Sequence, residues 1–243
     1  MTAILASFAF SYIDYLFASQ QGTLREYNPL TDNREIVGTY PREELLHEHT
    51  SASPDFFSDD SLQKFLDDAH PFSASYAPED VVPIDSHFTF NASSKFHLRS
   101  EAALQFADMA RAFSHAFDFQ QKLSITSARR SSVFQKHLSS SCSTSRCALP
   151  GTSEHEAGLA LDLGVNGGNI LGGGGKYYAR LRDNAHLYGF HNTYQKGIDT
   201  DGKIVEPRHR RYLGVELATH LHENALTFAE YFYTLYPTHD QTS

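Results

Sequence analysis

PGTSEHEAGLALDLG, residues 150–164, is the stretch on which the reading of this chain turns. Its second half, LALDL at 159–163, alternates with period two, so Leu159, Leu161 and Leu163 share one face of a strand. Ala160 and Asp162 share the other face, and the Asp162 carboxylate therefore points away from the packing made by the leucines. Just upstream stand Ser153, Glu154 and His155, and a second polar stretch, EPRHRRYLG at 206–214, adds Glu206 and His209. His155, Asp162 and His209 make a suitable zinc ligand set, because imidazole nitrogen and carboxylate oxygen both bind zinc and three protein ligands leave a position for water. Taken singly, His155 reads as a structural or surface histidine and Asp162 as a cap; the combination is what points to a metal. Attack by water also needs a group to take up a proton and return it to the leaving amine. Glu206, three residues before His209, suits that task if Pro207 holds the segment extended, the plainer alternative being a solvated glutamate in a turn. Glu154 and Glu156 are read as contacts to solvent or basic neighbours, without a catalytic role.

Outward from this centre the pattern is helical, then mixed. Ala102, Phe106, Met109, Phe113 and Phe117 recur at spacings of three and four, the mark of a helix with one apolar stripe. LSITSA at 123–128 reads as a short strand and SSVFQKHL at 131–138 as a helix. Tyr177, Leu181, Ala185 and Tyr188 mark a further helix, and Leu217, Ala218 and Leu221 another. TFAE at 227–230 has the form of a capping box ahead of the aromatic run YFYTLY. Upstream, SLQKFLDDA at 61–69 offers one short helix and YAPEDVVPID at 76–85 an extended approach to the main domain. Short strands mixed with non-repeating helices give an α+β class. The boundary is drawn as an acidic appendage or wrap over 1–74 and a main domain over 75–243. The glycine-rich run GVNGGNILGGGG at 164–175 has neither GxxxxGK[ST] nor a GxGxxG within a βαβ unit, so it is read as a loop bordering the site.

Composition bounds the function classes. The chain has 243 residues, 40% hydrophobic and 20% charged, enough for a sizeable core, and its net charge of −9 argues against nucleic acid or anionic lipid as a partner. That charge is uneven: residues 1–86 carry four Lys/Arg against 15 Asp/Glu, a net −11, which leaves 87–243 at +2. Residues 119–153 hold Lys122, Arg129, Arg130, Lys136 and Arg146 with no carboxylate, which either biases a cleft toward an anionic ligand or makes a solvated basic face. The apolar stretch at 1–13 stops at Asp14, short of the roughly 18 to 20 residues that span a bilayer, and it lacks the basic start of a secretion signal. The two cysteines, Cys142 and Cys147, either close a small disulfide loop suited to an oxidising compartment or remain free thiols.

In its motifs the chain resembles the VanY-type D-alanyl-D-alanine carboxypeptidases, zinc metallopeptidases of the LAS group (peptidase family M15). SxHxxGxAxD is present as Ser153, His155, Gly158, Ala160 and Asp162, and ExxH as Glu206 and His209. SARRSSVFQ at 127–135 stands for the family's SGYRSxxxQ, and LRSEA at 98–102 and LRDNAHLYGF at 181–190 are similar to stretches that frame its core. The resemblance, over roughly 75–235, implies a small mixed-sheet LAS/hedgehog-like metallopeptidase fold with surrounding helices. It implies Zn2+ held by His155, Asp162 and His209, Glu206 as general base and then acid, and Arg130 as the substrate-contacting arginine, with Gln135 and Ser153 supporting substrate. The implied substrate is a peptidoglycan stem peptide or muropeptide and the implied location the periplasm or cell envelope. An L,D-carboxypeptidase, a peptidoglycan endopeptidase and a noncatalytic wall-binding module are the alternatives; oligomeric state is left open. EPRHRRY places Arg208 and Arg210 where the family often has aromatics, which implies a more basic substrate wall.

Overall fold

The apolar stripe downstream of Leu98 is a helix, and a sheet is built against it. The computed structural model describes residues 53–92, 95–169 and 173–237, with the backbone of 25–27 and 34–36. The chain divides into two compact units, Met1–Ala52 and Ser53–Ser243. In the first, β1 (Arg25–Tyr27) and β2 (Arg34–Ile36) pair antiparallel with Glu26 opposite Glu35.

The second unit opens with an irregular segment that leads into an antiparallel ribbon of β3 (Val81–Pro83) and β4 (His97–Arg99). α1 (Ser100–His115) follows directly, burying Ala102, Phe106, Met109, Ala110 and Phe113 along the expected stripe. Then come β5 (Leu123–Ser127), α2 (Ser132–Ser139), β6 (Ala160–Val165), β7 (Gly168–Asn169), and α3 (Lys176–Asn184) continued by a 3-10 turn at Ala185–Tyr188. β8 (Phe190–His191), α4 (Ile198–Asp201), β9 (His209–Tyr212), α5 (Val215–Glu223) and α6 (Phe228–Leu235) complete the unit. The five strands β5 to β9 form one sheet in the order β5-β6-β9-β8, with β7 also on β6. Every ladder in it is antiparallel, and the parallel element among the described residues is a lone bridge between Thr89 and Leu123 at the β5 edge. With helices around it, this is the α+β, LAS-type architecture.

The leucines of β6 behave as their alternation requires: Leu159, Leu161 and Leu163 are fully buried in the same cluster as Phe106, Phe113, Ile125 and Phe190. Part of the glycine run is a packing requirement, since a Cβ at Gly164 would lie 1.6 Å from the carbonyl oxygen of Gly168 where β7 folds back on β6. Residues 170–172 of that run lie outside the described residues. Cys142 and Cys147 are disulfide-bonded, their Cα atoms 5.8 Å apart.

A second apolar cluster joins Phe56 and Phe65 to Leu213, Leu217 and Leu221 of α5 and to Phe228 and Phe232 of α6. Phe65 stacks on Phe232 with ring centroids 3.9 Å apart. Thr227 and Glu230 close the capping box read from TFAE. The helix expected over 61–69 does not form. Phe65 enters this second cluster while its neighbour Leu66 enters the first, so successive side chains must face opposite ways, which an extended turn permits and a helix does not. For the same reason the compact unit begins at Ser53, upstream of the boundary drawn at 74–75 from composition.

Candidate metal centre

Strand register does most of the positioning. Asp162 in β6 lies opposite Ser127 of β5 on one side and His209 of β9 on the other, so three strands present these residues in a single row. An irregularity in β5 between Ile125 and Ser127 brings the end of that strand, and with it Arg130, to the row. His155 arrives on the turn before β6, where the N–H of Glu156 donates to the Ser153 carbonyl and that of Gly158 to the His155 carbonyl. Gly158 takes φ +67°, and a side chain there would press on Arg99, which explains the glycine between the first two candidate ligands.

One ligand atom from each of His155, Asp162 and His209 falls within 4.8 Å of the others, and all three residues are buried. His155 Nδ1–H donates to the Ala128 carbonyl at 2.9 Å, which leaves Nε2 bare and 3.7 Å from Asp162 Oδ2. His209 Nε2–H donates to Glu154 Oε2 at 2.7 Å, and its Nδ1 faces Asp162 Oδ1 at 3.4 Å. Each imidazole is thus oriented by its second nitrogen, as metal-binding histidines are. Two nitrogens and one carboxylate oxygen fit zinc with an open fourth position; calcium and magnesium would want a richer oxygen shell.

The electrostatics favour a cation among these groups. Burial pushes the His155 imidazole down to about 3, against the pull of Asp162, so it stays neutral and available as a donor. Burial also opposes charge on His209, but hydrogen bonds to Asp162 and Glu154 outweigh it and raise that imidazole to about 9. Asp162 is likewise penalised by burial, yet His155, His209 and Arg130 hold its carboxyl well below the usual range. Two buried carboxylates converge on one histidine, an arrangement in which a metal dication can take the place of a proton.

Around this triad stand the other residues singled out from the sequence. Arg130 is pinned by Ser127 Oγ at 3.2 Å and Gln135 Oε1 at 3.0 Å, with its remaining amino group 3.6 Å from Asp162 Oδ2. Gln135 is fully buried and donates in turn to the Ala148 carbonyl at 2.7 Å. Ser153 is buried in the turn that carries His155. Glu206 is half-buried; burial raises its pKa, and Asp162 adds to the rise while His209, Arg208 and Arg130 oppose it. Its backbone is fixed by Tyr194, whose carbonyl accepts from its N–H at 3.0 Å, and by Asn192 Nδ2, which donates to its carbonyl at 3.1 Å.

The structure also changes two expectations. Of the two contacts expected of Glu154, solvent and a basic neighbour, only the second is met: it is buried 3.9 Å from buried Arg211, and it also accepts from His209 and from Thr193 Oγ1, each at 2.7 Å. The signal for it lay in HRRY, where strand alternation puts Arg211 on the His209 face and calls for a buried anion nearby. Arg210, by contrast, is no part of a substrate wall. It is buried, donates to the carbonyls of Pro207 and His209, and sits over the Tyr178 ring at 5.9 Å. Arg208 alone of the pair is exposed beside the triad, its Nε 4.0 Å from Asp162 Oδ2.

Comparison with known proteins identifies the family. The family model VanY, D-alanyl-D-alanine carboxypeptidase, matches residues 95–215. YodJ of Bacillus subtilis, provisionally named a carboxypeptidase, is 30% identical over 190 residues, 71% of this chain and 67% of its own length. The chain belongs to the VanY family. A D-alanyl-D-alanine carboxypeptidase of Enterococcus faecalis is 39% identical over 88 residues, a stretch that spans 36% of this VanY-family chain and only 32% of the enterococcal protein. Among solved structures, the LdcB LD-carboxypeptidase superposes with a TM-score of 0.64 at 25% identity, over 86% of this chain and 93% of its own. A D,D-pentapeptidase VanY from a VanB-type resistance cassette, solved in complex with Zn(II), shares the fold at a TM-score of 0.54 and 24% identity, over 69% and 97%. The His155, Asp162 and His209 cluster, able to hold a metal ion, thus lies within the stretch that the family model matches.

Proposed function

We propose that the chain is a zinc-dependent D-alanyl-D-alanine carboxypeptidase that trims bacterial peptidoglycan stem peptides. The observation that carries this reading is the closed cluster of His155, Asp162 and His209, with Arg130 3.6 Å from Asp162 and the Glu206 carboxylate within electrostatic reach of Asp162, His209 and Arg130. A zinc ion held by the three donors supplies Lewis acidity, polarising a carbonyl and easing deprotonation of water.

The chain's own groups do the rest. Glu206 takes a proton from the attacking water and passes it to the departing amine of the terminal residue. Burial raises its pKa, which is the direction that makes a carboxylate a better acceptor of the water proton before it is handed on. Arg130, with two of its nitrogens already engaged by Ser127 and Gln135, presents a preset fork to the substrate's carbonyl or carboxylate oxygen. Gln135 keeps that fork in place, Ser153 lines the approach, and Glu154 keeps the His209 ring from turning. The substrate lies in the cell envelope, so the protein acts there, and a disulfide suits that compartment.

A second reading, L,D-carboxypeptidase, draws support from the LdcB likeness, which covers most of both chains. The two differ in which bond reaches the metal. A muropeptide digest read by mass spectrometry separates them: D-alanine lost from pentapeptide stems indicates D,D-cleavage, and loss from tetrapeptide stems L,D-cleavage. Activity should vanish on chelation and return with zinc, and Glu206→Gln should lower kcat by about 100-fold or more while zinc is retained. A zinc-loaded wild-type chain that cleaves neither stem nor a cross-linked muropeptide sinks the hydrolytic reading.

A further inference from the structure

The Cys142–Cys147 loop has no part in the chemistry proposed above, yet it touches both halves of the site. Immediately past the bridge, the Ala148 carbonyl accepts from Gln135 Nε2 at 2.7 Å, and Gln135 Oε1 accepts from Arg130 at 3.0 Å. Within the bridge, the Ser145 carbonyl accepts from the N–H of Ile204 at 2.9 Å, two residues before Glu206. The loop is folded tightly on itself: the N–H groups of Arg146 and Cys147 both donate to the Ser143 carbonyl, at 2.9 and 2.8 Å. It has no buried apolar side chain of its own, since residues 141–147 are exposed or half-exposed. In a serine-rich segment without such an anchor, these hydrogen bonds are exposed to solvent, and covalent closure is what keeps the loop from opening.

We propose that the disulfide-closed loop 142–147 is a positioning element for the reaction. It holds Arg130 through Ala148 and Gln135, and the Glu206 segment through Ser145 and Ile204, and so sets the two relative to each other. Cys142 and Cys147 are positioning residues in this scheme and touch no reacting atom. The proposal rests on the hydrolytic reading for its kinetic consequence but not for its structural one. The two histidine donors are oriented independently of the loop, His155 by Ala128 and His209 by Glu154, so opening the loop should spare metal binding and cost turnover.

The test is the Cys142→Ser/Cys147→Ser double variant of the full chain. Zinc content should equal that of wild type, kcat on the cleaved muropeptide should fall about tenfold with KM changed far less, and amide hydrogen exchange at Ile204 should accelerate. Combined with Gln135→Met, the losses in kcat should be less than multiplicative, because both act through Arg130; independent structural damage would multiply. Should the double variant fail to fold, reduction of the folded wild type in zinc-buffered solution, followed by reoxidation, reads the same effect. Activity and Ile204 protection should then fall and return together. Wild-type kcat with unchanged Ile204 protection in an open-loop chain overturns the proposal. A wild-type chain that cleaves no muropeptide fails the hydrolytic reading instead; in that case faster Ile204 exchange on opening still supports the loop's hold on the Glu206 segment, and unchanged exchange refutes it.

Discussion

Glu154 shows how much of a metal site can hang on a residue that binds no metal. Burial penalises its charge, but hydrogen bonds from His209 and Thr193 and the nearby Arg211 outweigh that penalty and hold its pKa down. Replacing it by alanine would leave His209 Nε2–H without an acceptor and Arg211 without its carboxylate. Glu154→Ala should therefore weaken zinc binding by about 10- to 100-fold, as loss of a ligand's orienting partner does, with Glu154→Gln recovering part of it. Competition against a fluorescent chelator measures this, and an unchanged affinity would return Glu154 to a purely structural role. The cluster itself was legible in the sequence because His155, Asp162 and His209 combine zinc-binding chemistry with strand alternation and a familiar spacing. Glu154 was not, because within a turn neighbouring side chains diverge, and adjacency to His155 says nothing about reaching His209.

At the level of elements, periodic segments were readable and the segment with no period was not. α1, β5, β6, α5 and the capped α6 each carry a repeat of two or of three and four, or a capping signal, that their packing then uses. Residues 61–69 serve two clusters at once, a requirement set by the tertiary structure that leaves no local trace. Asp67 is what ties this segment to α6: its carboxylate accepts from Tyr233, from His70 Nδ1 at 2.7 Å and from the Ala69 N–H at 2.9 Å. Burial would raise the Asp67 pKa, but these hydrogen bonds win and lower it. A carboxyl depressed in the folded state adds stability that is present at neutral pH and is lost as pH falls through the carboxylate range. Asp67→Asn should cost about 1 to 2 kcal/mol at pH 7, toward the lower end because the group is partly exposed, and the gap to wild type should narrow at pH 3. Urea titrations at the two pH values check this; a gap independent of pH would mean that the contact does not depend on charge.

Over the whole molecule, the net charge of −9 conceals an acidic front and a nearly neutral remainder, but charge does not mark where the compact unit starts. Residues 53–74 lie within the acidic part of the sequence, yet they complete both apolar clusters through Phe56, Phe65, Leu66 and Phe72. They also reach the metal centre. The carbonyls of Leu62 and Lys64 each accept from Arg211 at 3.1 Å, Arg211 lies beside Glu154, and Glu154 holds His209. Removing this segment would strip acceptors from a fully buried guanidinium one step from a ligand. It would also delete three buried phenylalanines, when truncating even one typically costs about 3 to 5 kcal/mol and a domain's whole stability is about 5 to 15. A chain beginning at Ser53 should thus unfold cooperatively and bind one zinc. A chain beginning at residue 75, the boundary that composition suggests, should lose cooperative unfolding and bind zinc weakly or not at all. Thermal melts with zinc stoichiometry on the two truncations decide the matter: equal behaviour would show that residues 53–74 only cover the catalytic unit and are not part of its core.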